Sequence, residues 1–331
     1  MKILNKLLRP CAEFGIGTVL GMAQKKILGN SLTVFCYHDV SNNPSEFSRE
    51  NSLNVPPDIF NFQIAYINKS FNVIEPKQLL DQSLPSNAAL VTFDDGFKSF
   101  FNNAVPILEE HKVPAIIFLN MGPIRGEIFW SGLIVYLCKR RPKFVEYLNT
   151  KLKLEDNNTS LFLSCSKRLV EIYLEHNNED FHEIVSDYVG QFANEIDLEC
   201  FSTNSYVYYG NHSYTHYVSG LMKDSEFLED IEINTKYLRK YGNYLDFFAF
   251  PFGQPETTFT ESQVSLLLKE GIKKVFYSSA SSLNTLPLKP LLDRIPLSSD
   301  DESSAKIKYK VMKAWLLSTQ RYLLKRLSNE I

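Results

Sequence analysis

The chain has 331 residues and a formal net charge of −3, so a general electrostatic attraction to nucleic acid is not expected. Hydrophobic residues make up 44% of the sequence and charged residues 22%, which is ordinary for a globular protein with a large core. The five cysteines are an odd number, are widely separated and include no Cys-x-x-Cys pair. We therefore expect reduced thiols and a cytoplasmic protein rather than a disulfide framework.

The first segment, residues 1–30, is basic at its start and mildly apolar around residues 14–23. Glu13 interrupts the apolar run, which is also short and rich in glycine, so a helical lead-in is favoured over a cleaved signal peptide. No other segment has the apolar length that a membrane-spanning helix needs. Peripheral contact of this segment with the inner face of a membrane remains an open alternative.

From Leu32 onward, apolar runs typical of buried strands alternate with helical patterns. Helices are predicted from Pro57 to Lys69 with Asp58 as a cap, around Gln78–Gln82, and from Phe97 to His111 with a kink at Pro106. Strands are predicted near residues 34, 73, 91, 117, 208, 249 and 276. About seven βα units of this kind predict an α/β fold, a closed or nearly closed parallel barrel.

The alternation is interrupted at about residues 123–205, where the pattern is polar and helical. We expect a helical insertion there that caps or flanks the barrel, which itself covers residues 31–300. Residues 301–331 predict a basic amphipathic C-terminal helix. Further elements are predicted as helices at 224–240 and 261–269, with Gly271 ending the latter, and as a last short strand at 294–297.

Several of the predicted strands end in residues that bind metals or transfer protons. His38 follows the first strand, Asp94 and Asp95 follow a strand in the middle of the series, and His212 and His216 follow a later one. The carboxyl ends of the strands of a parallel barrel meet at one face, so these side chains are expected to lie together. One carboxylate and two neutral imidazoles can hold a divalent metal with open coordination positions, and the second carboxylate is then free to act as a base. The set therefore predicts metal-assisted hydrolysis.

Each motif also has a purely structural interpretation. Asp95-Gly96 alone is a common turn, although the strand before it and the helix after it disfavour a hairpin. The pair His212 and His216 alone would fit two partly exposed histidines. The segment Phe250–Gly253 would serve as a loop corner, or else as a wall of a substrate groove with a backbone N–H near Pro251 facing a developing oxyanion.

Taken together, these residues resemble the polysaccharide deacetylases with the NodB homology domain, carbohydrate esterase family 4. The resemblance covers about residues 32–122 and 206–298 and leaves out the helical region between them. The matching segments are Thr92–Gly96 for the family's first motif, His212–His216 for its second, Phe250–Gly253 for its third, and Tyr37–Val40 for the Tyr-His start of many bacterial members.

The resemblance implies a distorted (β/α) barrel with a divalent metal, usually zinc, with cobalt, nickel or manganese as alternatives. Its ligands would be Asp95, His212 and His216, and Asp94 would be the general base. The implied reaction removes an N-acyl group, usually N-acetyl, from an amino sugar of a cell-surface polysaccharide or its precursor. The residues implied on the substrate and oxyanion side are Pro251, Phe252, Tyr214 and Arg294.

Two departures from the family pattern bear on catalysis. Ala249 stands where the family often carries an arginine that orients the base, and no histidine follows His216 to serve as the family's late general acid. We expect Arg294 to supply part of the missing positive charge. We expect His38, at the end of the first strand, to be the general acid, with a buried structural histidine as the alternative.

Two competing functions stay open at this stage. The first is a deacylase or deformylase of a lipid-linked sugar at the membrane face, which the two terminal segments favour. The second is a catalytically degenerate barrel that binds a sugar without hydrolysing it, which the missing late histidine favours.

Overall fold

The computed structural model describes residues 29–81, 84–152, 167–177 and 180–329, with side chains as far as residue 318. The predicted lead-in helix within residues 1–28 lies outside the described residues. The described part is a mixed α/β fold built around one ten-stranded, mainly parallel sheet. The predicted α/β barrel is therefore confirmed.

The strands of the described part of the chain lie in the following ranges. They are β1 (Ser31–Tyr37), β2 (Asp39–Val40), β3 (Asn54–Val55), β4 (Asn72–Val73), β5 (Ala88–Phe93), β6 (Ala115–Leu119), β7 (Val207–Asn211), β8 (Tyr244–Ala249), β9 (Lys274–Tyr277), β10 (Asn284–Thr285), β11 (Leu291–Asp293) and β12 (Ile295–Pro296).

The helices cover the sheet and form the insertion. They are α1 (Glu46–Glu50), α2 (Pro57–Ser70), α3 (Val105–Glu110), α4 (Met121–Ile124), α5 (Trp130–Arg140), α6 (Pro142–Leu152), α7 (Lys167–Asn177), α8 (Phe181–Val189), α9 (Glu195–Phe201), α10 (Asp224–Leu238), α11 (Glu261–Lys269) and α12 (Ser304–Asn329).

The sheet is nearly closed into a barrel. Its strands run in the order β10-β1-β5-β6-β7-β8-β9-β11, while β4 pairs with β5 and β12 pairs with β1. The strand β11 is parallel to β9, and β12 is parallel to β1. Because only Arg294 separates β11 from β12, the chain crosses at that residue from one end of the open sheet to the other.

The apolar residues alternate along the strands and fill two layers. On β1, Leu32 and Val34 belong to a buried cluster shared with β5, β6, β8 and β9, whereas Phe35 and Tyr37 pack against the outer helices. The sheet buries both of its faces, which explains why its strands read as continuous apolar runs in the sequence. Burial of this kind is the main favourable term in folding.

Three local predictions are corrected. Asp58 lies in the first turn of α2, which begins at Pro57 with Pro56 at the cap position, because proline fits the first position of a helix, where its missing N–H costs nothing. The segment predicted as a helix around Gln78–Gln82 is a short 3₁₀ helix at Pro76–Leu80. The helix predicted from Phe97 contains a π-helical turn at Phe100–Ala104 just before Pro106, which has no N–H for a regular helical bond.

The helices α4 to α9 occupy the region predicted as a helical insertion. The helices α5 to α8 share an apolar cluster of their own, which also takes in Phe47 of α1, whereas the buried residues of α4 and α9 belong to the main core. The insertion is tied to α1 by charged groups, because Lys139 donates to Glu50 at 3.0 Å and Tyr188 donates to the same carboxylate at 2.7 Å. Arg140 also pairs with Glu50. How the chain divides into domains stays a prediction.

The C-terminal helix α12 packs on the barrel through its first half. Ile307, Val311 and Ala314 are buried against the main core, and Lys310 donates to Asp301 at 2.6 Å. Among the residues that the structure describes, no helix combines the length and apolar character needed to cross a bilayer.

Candidate active site

The polar residues predicted to converge do so at the carboxyl ends of the parallel strands. The last residues of β1 and β5 pair with each other, so His38 and Asp94 follow side by side. The last residues of β6 and β7 also pair, which brings His212 to the same edge of the barrel. The register of the sheet therefore collects groups that are more than a hundred positions apart in the chain.

One carboxylate and two imidazoles form a compact buried cluster. Asp95, His212 and His216 each offer a ligand-type atom, and these atoms all lie within 4.8 Å of one another. The Oδ1 atom of Asp95 is 3.1 Å from Nε2 of His216 and 3.6 Å from Nε2 of His212. All three side chains are buried. This is the residue set that the sequence predicted as metal ligands.

The chemistry of this cluster fits a cation. Nδ1 of His212 lies 2.7 Å from the carbonyl oxygen of Ala249, which can only accept, so Nδ1 carries a proton and Nε2 is the nitrogen that faces Asp95. Oδ1 of Asp95 is buried with no hydrogen-bond partner among the described residues. A buried carboxylate oxygen without a partner is costly, and lone pairs that converge on one point are the arrangement that a divalent metal satisfies.

The electrostatics of the cluster keep Asp95 ionised. Burial alone would raise the pKa of Asp95, but the neighbouring His212 and His216 outweigh it and hold that pKa well below its usual range. Burial lowers the pKa of His216, against an opposing effect of Asp95, and so favours the neutral imidazole. An ionised carboxylate and a neutral imidazole are the forms in which these groups bind metals.

Backbone strain is concentrated in the same loops. Asp95, Ser213, His216 and Phe252 have φ values of 74°, 66°, 56° and 61°, in the left-handed region that residues with a side chain rarely adopt. They account for four of the nine such residues in the described part of the chain. Strain of this kind persists where the surrounding structure enforces it, and it is typical of functional sites.

A second carboxylate, Asp94, is paired with a buried arginine. The two terminal nitrogens of Arg294 donate to the two oxygens of Asp94 at 2.6 and 2.7 Å. Burial raises the pKa of Asp94, but the guanidinium of Arg294 outweighs it and leaves the pKa below its ordinary value. Arg294 thus places a positive charge beside this carboxylate, from the crossing between β11 and β12.

His38 lies at the outer side of Asp94. Its Nε2 is 3.8 Å from Oδ2 of Asp94, and its side chain is 26% exposed. Cys36 is also close, with Sγ 3.7 Å from the same oxygen, so Cys36, His38 and Asp94 form a second group of ligand-type atoms. This group suits a cation less well, because Arg294 already engages both oxygens of Asp94 and burial raises the pKa of the Cys36 thiol.

The insertion contributes a residue that sequence analysis missed. Oγ of Ser131, on α5, lies 2.5 Å from Nδ1 of His216, and both side chains are buried. A partner on the far nitrogen orients an imidazole and leaves the other nitrogen for a ligand. No spacing in the sequence links Ser131 with His216, because the contact depends on how the insertion folds back over the barrel.

A cavity of about 300 Å³ opens above these groups. The predicted site residues that line it are His38, Asp94, Asp95, His212, His216, Phe252 and Arg294. The insertion adds Phe129, Ser131 and Val135 to its wall, and the segment around α1 adds Phe47, Asn51 and Leu53. The insertion is therefore part of the site and does not merely flank the barrel.

Two residues predicted on the substrate side do not line this cavity. The hydroxyl of Tyr214 donates to Glu127, and its ring stacks on Tyr237 with a centroid distance of 6.0 Å. Its backbone N–H donates to Asp230, which fixes the turn that carries His216. Pro251 is buried beneath the loop whose next residue, Phe252, faces the cavity. The side chain of Tyr214 therefore does not lie on the substrate side of the cavity.

Comparison with known proteins agrees with this geometry. Residues 81–131 match the family model for polysaccharide deacetylase, and this segment includes Asp94 and Asp95. No curated protein matches the sequence.

Solved structures share the fold at low sequence identity. IcaB from Ammonifex degensii has a TM-score of 0.55 and 18% identity, over 85% of this chain and 98% of that one. A de-N-acetylase from Aggregatibacter actinomycetemcomitans has a TM-score of 0.55 and 14% identity, over 85% of this chain and 100% of that one. The polysaccharide deacetylase BC0361 from Bacillus cereus has a TM-score of 0.53 and 13% identity, over 85% of this chain and 69% of that one.

The sequence resemblance is thereby confirmed over residues 81–131, and the shared fold covers 85% of the chain. His212 and His216 lie outside the segment that the family model matches, so their roles rest on geometry and chemistry. Over residues 81–131 the chain is similar to polysaccharide deacetylases, and it shares its fold with solved structures of such enzymes.

Proposed function

We propose that the protein is a metal-dependent hydrolase that removes an N-acyl group from an amino sugar of a cell-surface glycan or its precursor. The observation that carries the proposal is the buried Oδ1 of Asp95, which has no hydrogen-bond partner among the described residues while two imidazole nitrogens converge on it. Asp95, His212 and His216 would hold the metal, with zinc as the first candidate. Support for the chemistry comes from the family-model match and the shared fold.

The metal, when bound, supplies Lewis acidity that polarises the amide carbonyl and lowers the pKa of a water molecule. Asp94 accepts the proton of the attacking water, because this carboxylate lies next to the proposed metal ligands and is not itself one of them. Arg294 fixes the plane of the Asp94 carboxylate through two hydrogen bonds and keeps it ionised. Phe252 forms the wall beside His216, and the donation of a hydrogen bond from its backbone N–H to the oxyanion stays a prediction.

His38 is proposed as the general acid that protonates the leaving amine. It lies 3.8 Å from Asp94 and lines the cavity, and it is partly exposed, as a group that must regain its proton from solvent has to be. The family's late histidine has no counterpart here, so His38 fills a role that would otherwise have no residue. In hydrolysis the C–N bond breaks, the water oxygen joins the acyl carbon, and the nitrogen gains a proton.

The proposed function is tested by removing and restoring metal. We expect chelator-treated protein to lose hydrolysis of N-acetylated amino-sugar oligosaccharides and to regain it with about one equivalent of zinc, cobalt, nickel or manganese. Release of free amine is the measurement, with metal content read by mass spectrometry in parallel. Full activity in metal-free protein would reject metal dependence. Metal binding without hydrolysis of any N-acylated sugar would favour the alternative of a sugar-binding barrel.

Replacing His38 with alanine is expected to keep the metal and to lower kcat by about a hundredfold with little change in KM, because loss of an acid acts on the transition state. The matched control is His111→Ala, since His111 lies at the end of α3 and bonds to Asn61 at the surface. The pH–rate profile should lose its alkaline limb only in the His38 variant. An unchanged profile would leave His38 as a structural residue.

Contact with a membrane, and with it a lipid-linked sugar as substrate, is a second candidate. It rests on α12, where Lys306 and Lys308 are exposed while Ile307 and Val311 are buried on the barrel. Lys310 and Lys313 are partly buried, and Lys310 is paired with Asp301, while Arg321, Lys325 and Arg326 lie outside the described side chains. A position at the inner membrane face would follow from this candidate, with the protein otherwise cytoplasmic as predicted.

Truncation after Ser303 is expected to abolish flotation of the protein with liposomes that contain anionic lipid, because basic residues near a surface each add about 1 kcal/mol of attraction. Neutral liposomes are the control for binding that does not depend on charge. Since α12 packs on the core, the fold of the truncated protein has to be checked by thermal unfolding. Equal flotation of a folded truncated protein would reject the membrane role of this helix.

A further inference from the structure

The insertion meets the barrel at the turn that carries His216. The backbone N–H of Gly122 donates to the carbonyl of Tyr214 at 3.1 Å. A Cβ atom at Gly122 would lie 2.7 Å from that carbonyl oxygen, so only glycine allows this approach. The ring of Trp130 packs against Tyr217 with a centroid distance of 4.9 Å. Two residues at the start of the insertion therefore contact the chain on either side of His216.

The ring of His216 is also contacted directly by the insertion. Phe129 packs against it with a centroid distance of 5.0 Å, and Oγ of Ser131 lies 2.5 Å from its Nδ1. All three side chains are buried. Contact with Phe129 limits where the ring can lie, whereas the hydrogen bond at Nδ1 fixes the rotation of the ring about its own bond to Cβ. That rotation decides whether Nε2 faces Oδ1 of Asp95, which it does at 3.1 Å.

The backbone of the same turn is held from the barrel side. Asp230 of α10 accepts from the backbone N–H of Tyr214 at 2.7 Å. It also accepts from the backbone N–H and the hydroxyl of Thr215, at 3.2 and 2.7 Å. The barrel therefore places the backbone of the turn, and the orientation of the His216 ring is left to its contacts with the insertion.

The hydrogen bond between Ser131 and His216 is compatible with metal binding. A neutral imidazole binds a metal through the nitrogen that carries no proton, so binding through Nε2 places the proton on Nδ1. Nδ1 then donates to Oγ of Ser131, which has lone pairs to accept it. A hydroxyl can also donate to an unprotonated Nδ1, so Ser131 does not select the proton position. Its contribution is the orientation of the ring.

We propose that Ser131 is a positioning residue for the metal site, and that through it the insertion sets the affinity for the metal. The inference rests on the proposed function for the ligand set Asp95, His212 and His216. Without the hydroxyl, the buried Nδ1 of His216 loses this partner and the ring loses the contact that fixes its rotation. Metal binding then has to order the ring as well, which lowers the affinity.

The first measurement is the affinity of Ser131→Ala for zinc, by competition with a coloured chelator. We expect the affinity to fall by about 10- to 100-fold, the usual effect of removing a group that supports a metal ligand. Ser131→Thr keeps a hydroxyl and should recover most of the loss, which a general disturbance of packing would not explain. Should Ser131→Ala fail to fold, Ser131→Cys takes its place with the same expectation, because a thiol is a weak hydrogen-bond acceptor.

The matched control is Ser186→Ala, because Ser186 is an exposed serine of α8 in the same insertion. This variant should bind zinc as the wild type does. Unchanged zinc affinity in the folded Ser131 variant would overturn the proposal. An equal loss in Ser186→Ala would overturn it as well, because the effect would then not depend on the contact with His216.

Hydrogen exchange tests the same link in the opposite direction. If the docked insertion strengthens metal binding, the metal stabilises the docked insertion by the same factor, because the two effects share one coupling free energy. Zinc is therefore expected to slow amide exchange in α5 by up to about 10- to 100-fold in the wild type, and by much less in Ser131→Ala. The control is α2, which packs on the main core and contributes no residue to the cavity wall. Slowing in α2 as large as in α5, or equal slowing of α5 in the variant, would overturn the proposal.

Turnover separates this inference from the proposed function. Hydrolysis of N-acetylated amino-sugar oligosaccharides by the wild type, with unchanged zinc affinity in Ser131→Ala, would reject the role of Ser131 and leave the deacylase standing. Zinc affinity that is lost in Ser131→Ala and restored in Ser131→Thr, in a protein that hydrolyses no N-acylated sugar, would support the role of Ser131 and reject the deacylase.

Discussion

Replacing His212 with alanine is expected to abolish metal retention and hydrolysis together. His212 is buried, and its Nδ1 bonds to the carbonyl of Ala249, so its Nε2 is fixed toward Asp95. Loss of a residue that only supports a ligand typically costs 10- to 100-fold in metal affinity, so loss of a proposed ligand should cost at least about a hundredfold. The measurement is a competitive titration with a coloured chelator, followed by turnover at saturating metal.

The matched control is His176→Ala, because His176 is an exposed histidine of α7 in the insertion. It should keep both the metal and the activity. His212→Ala protein that retained one tightly bound metal would contradict the ligand assignment. Metal retained with activity lost would instead make His212 a group that acts on the substrate.

Replacing Asp94 with asparagine is expected to reduce turnover by about a hundredfold or more, the scale for loss of a general base, while metal content stays nearly intact. The same change leaves the guanidinium of Arg294 buried without its carboxylate. Breaking one side of a buried ion pair costs about 3–5 kcal/mol, so the free energy of unfolding should fall by a similar amount. Thermal unfolding and turnover have to be measured on the same preparation.

A double variant separates catalysis from stability. Asp94→Asn combined with Arg294→Gln removes both charges, so the stability should largely return while the activity stays low. Recovery of activity along with stability would mean that Asp94 acts only through folding. An empty metal site in Asp94→Asn would reverse the proposed roles of Asp94 and Asp95.

The three motifs were visible as short segments that follow apolar runs, and each lies at the end of a strand, at β5, β7 and β8. Local chemistry sufficed there, since an apolar run predicts a strand and a polar residue after it predicts the strand end. The unusual backbone at Asp95, Ser213 and Phe252 was not visible, because φ is set by the contacts of the whole loop.

Two features of the structure depend on contacts that are not encoded in the local sequence. Tyr214 lies within the second motif, yet its side chain turns outward to Glu127 and Tyr237, because Asp230 of α10 holds the backbone of that turn. A position within a motif does not determine on which side of a loop a side chain lies. The π-helical turn before Pro106 is a similar case, since proline predicts a disturbance and not its form.

The sequence by itself determined the barrel class, the strand ends and the set of two acids and two histidines, because periodicity and residue chemistry act over a few positions. Only the tertiary structure decided which other residues contact these acids and histidines. Arg294 reaches Asp94 across 200 positions, and Ser131 reaches His216 across 85 positions from within the insertion. The physical reason is that a buried charge or imidazole is satisfied by whichever partner the packing brings within hydrogen-bond distance, and no local pattern records that partner.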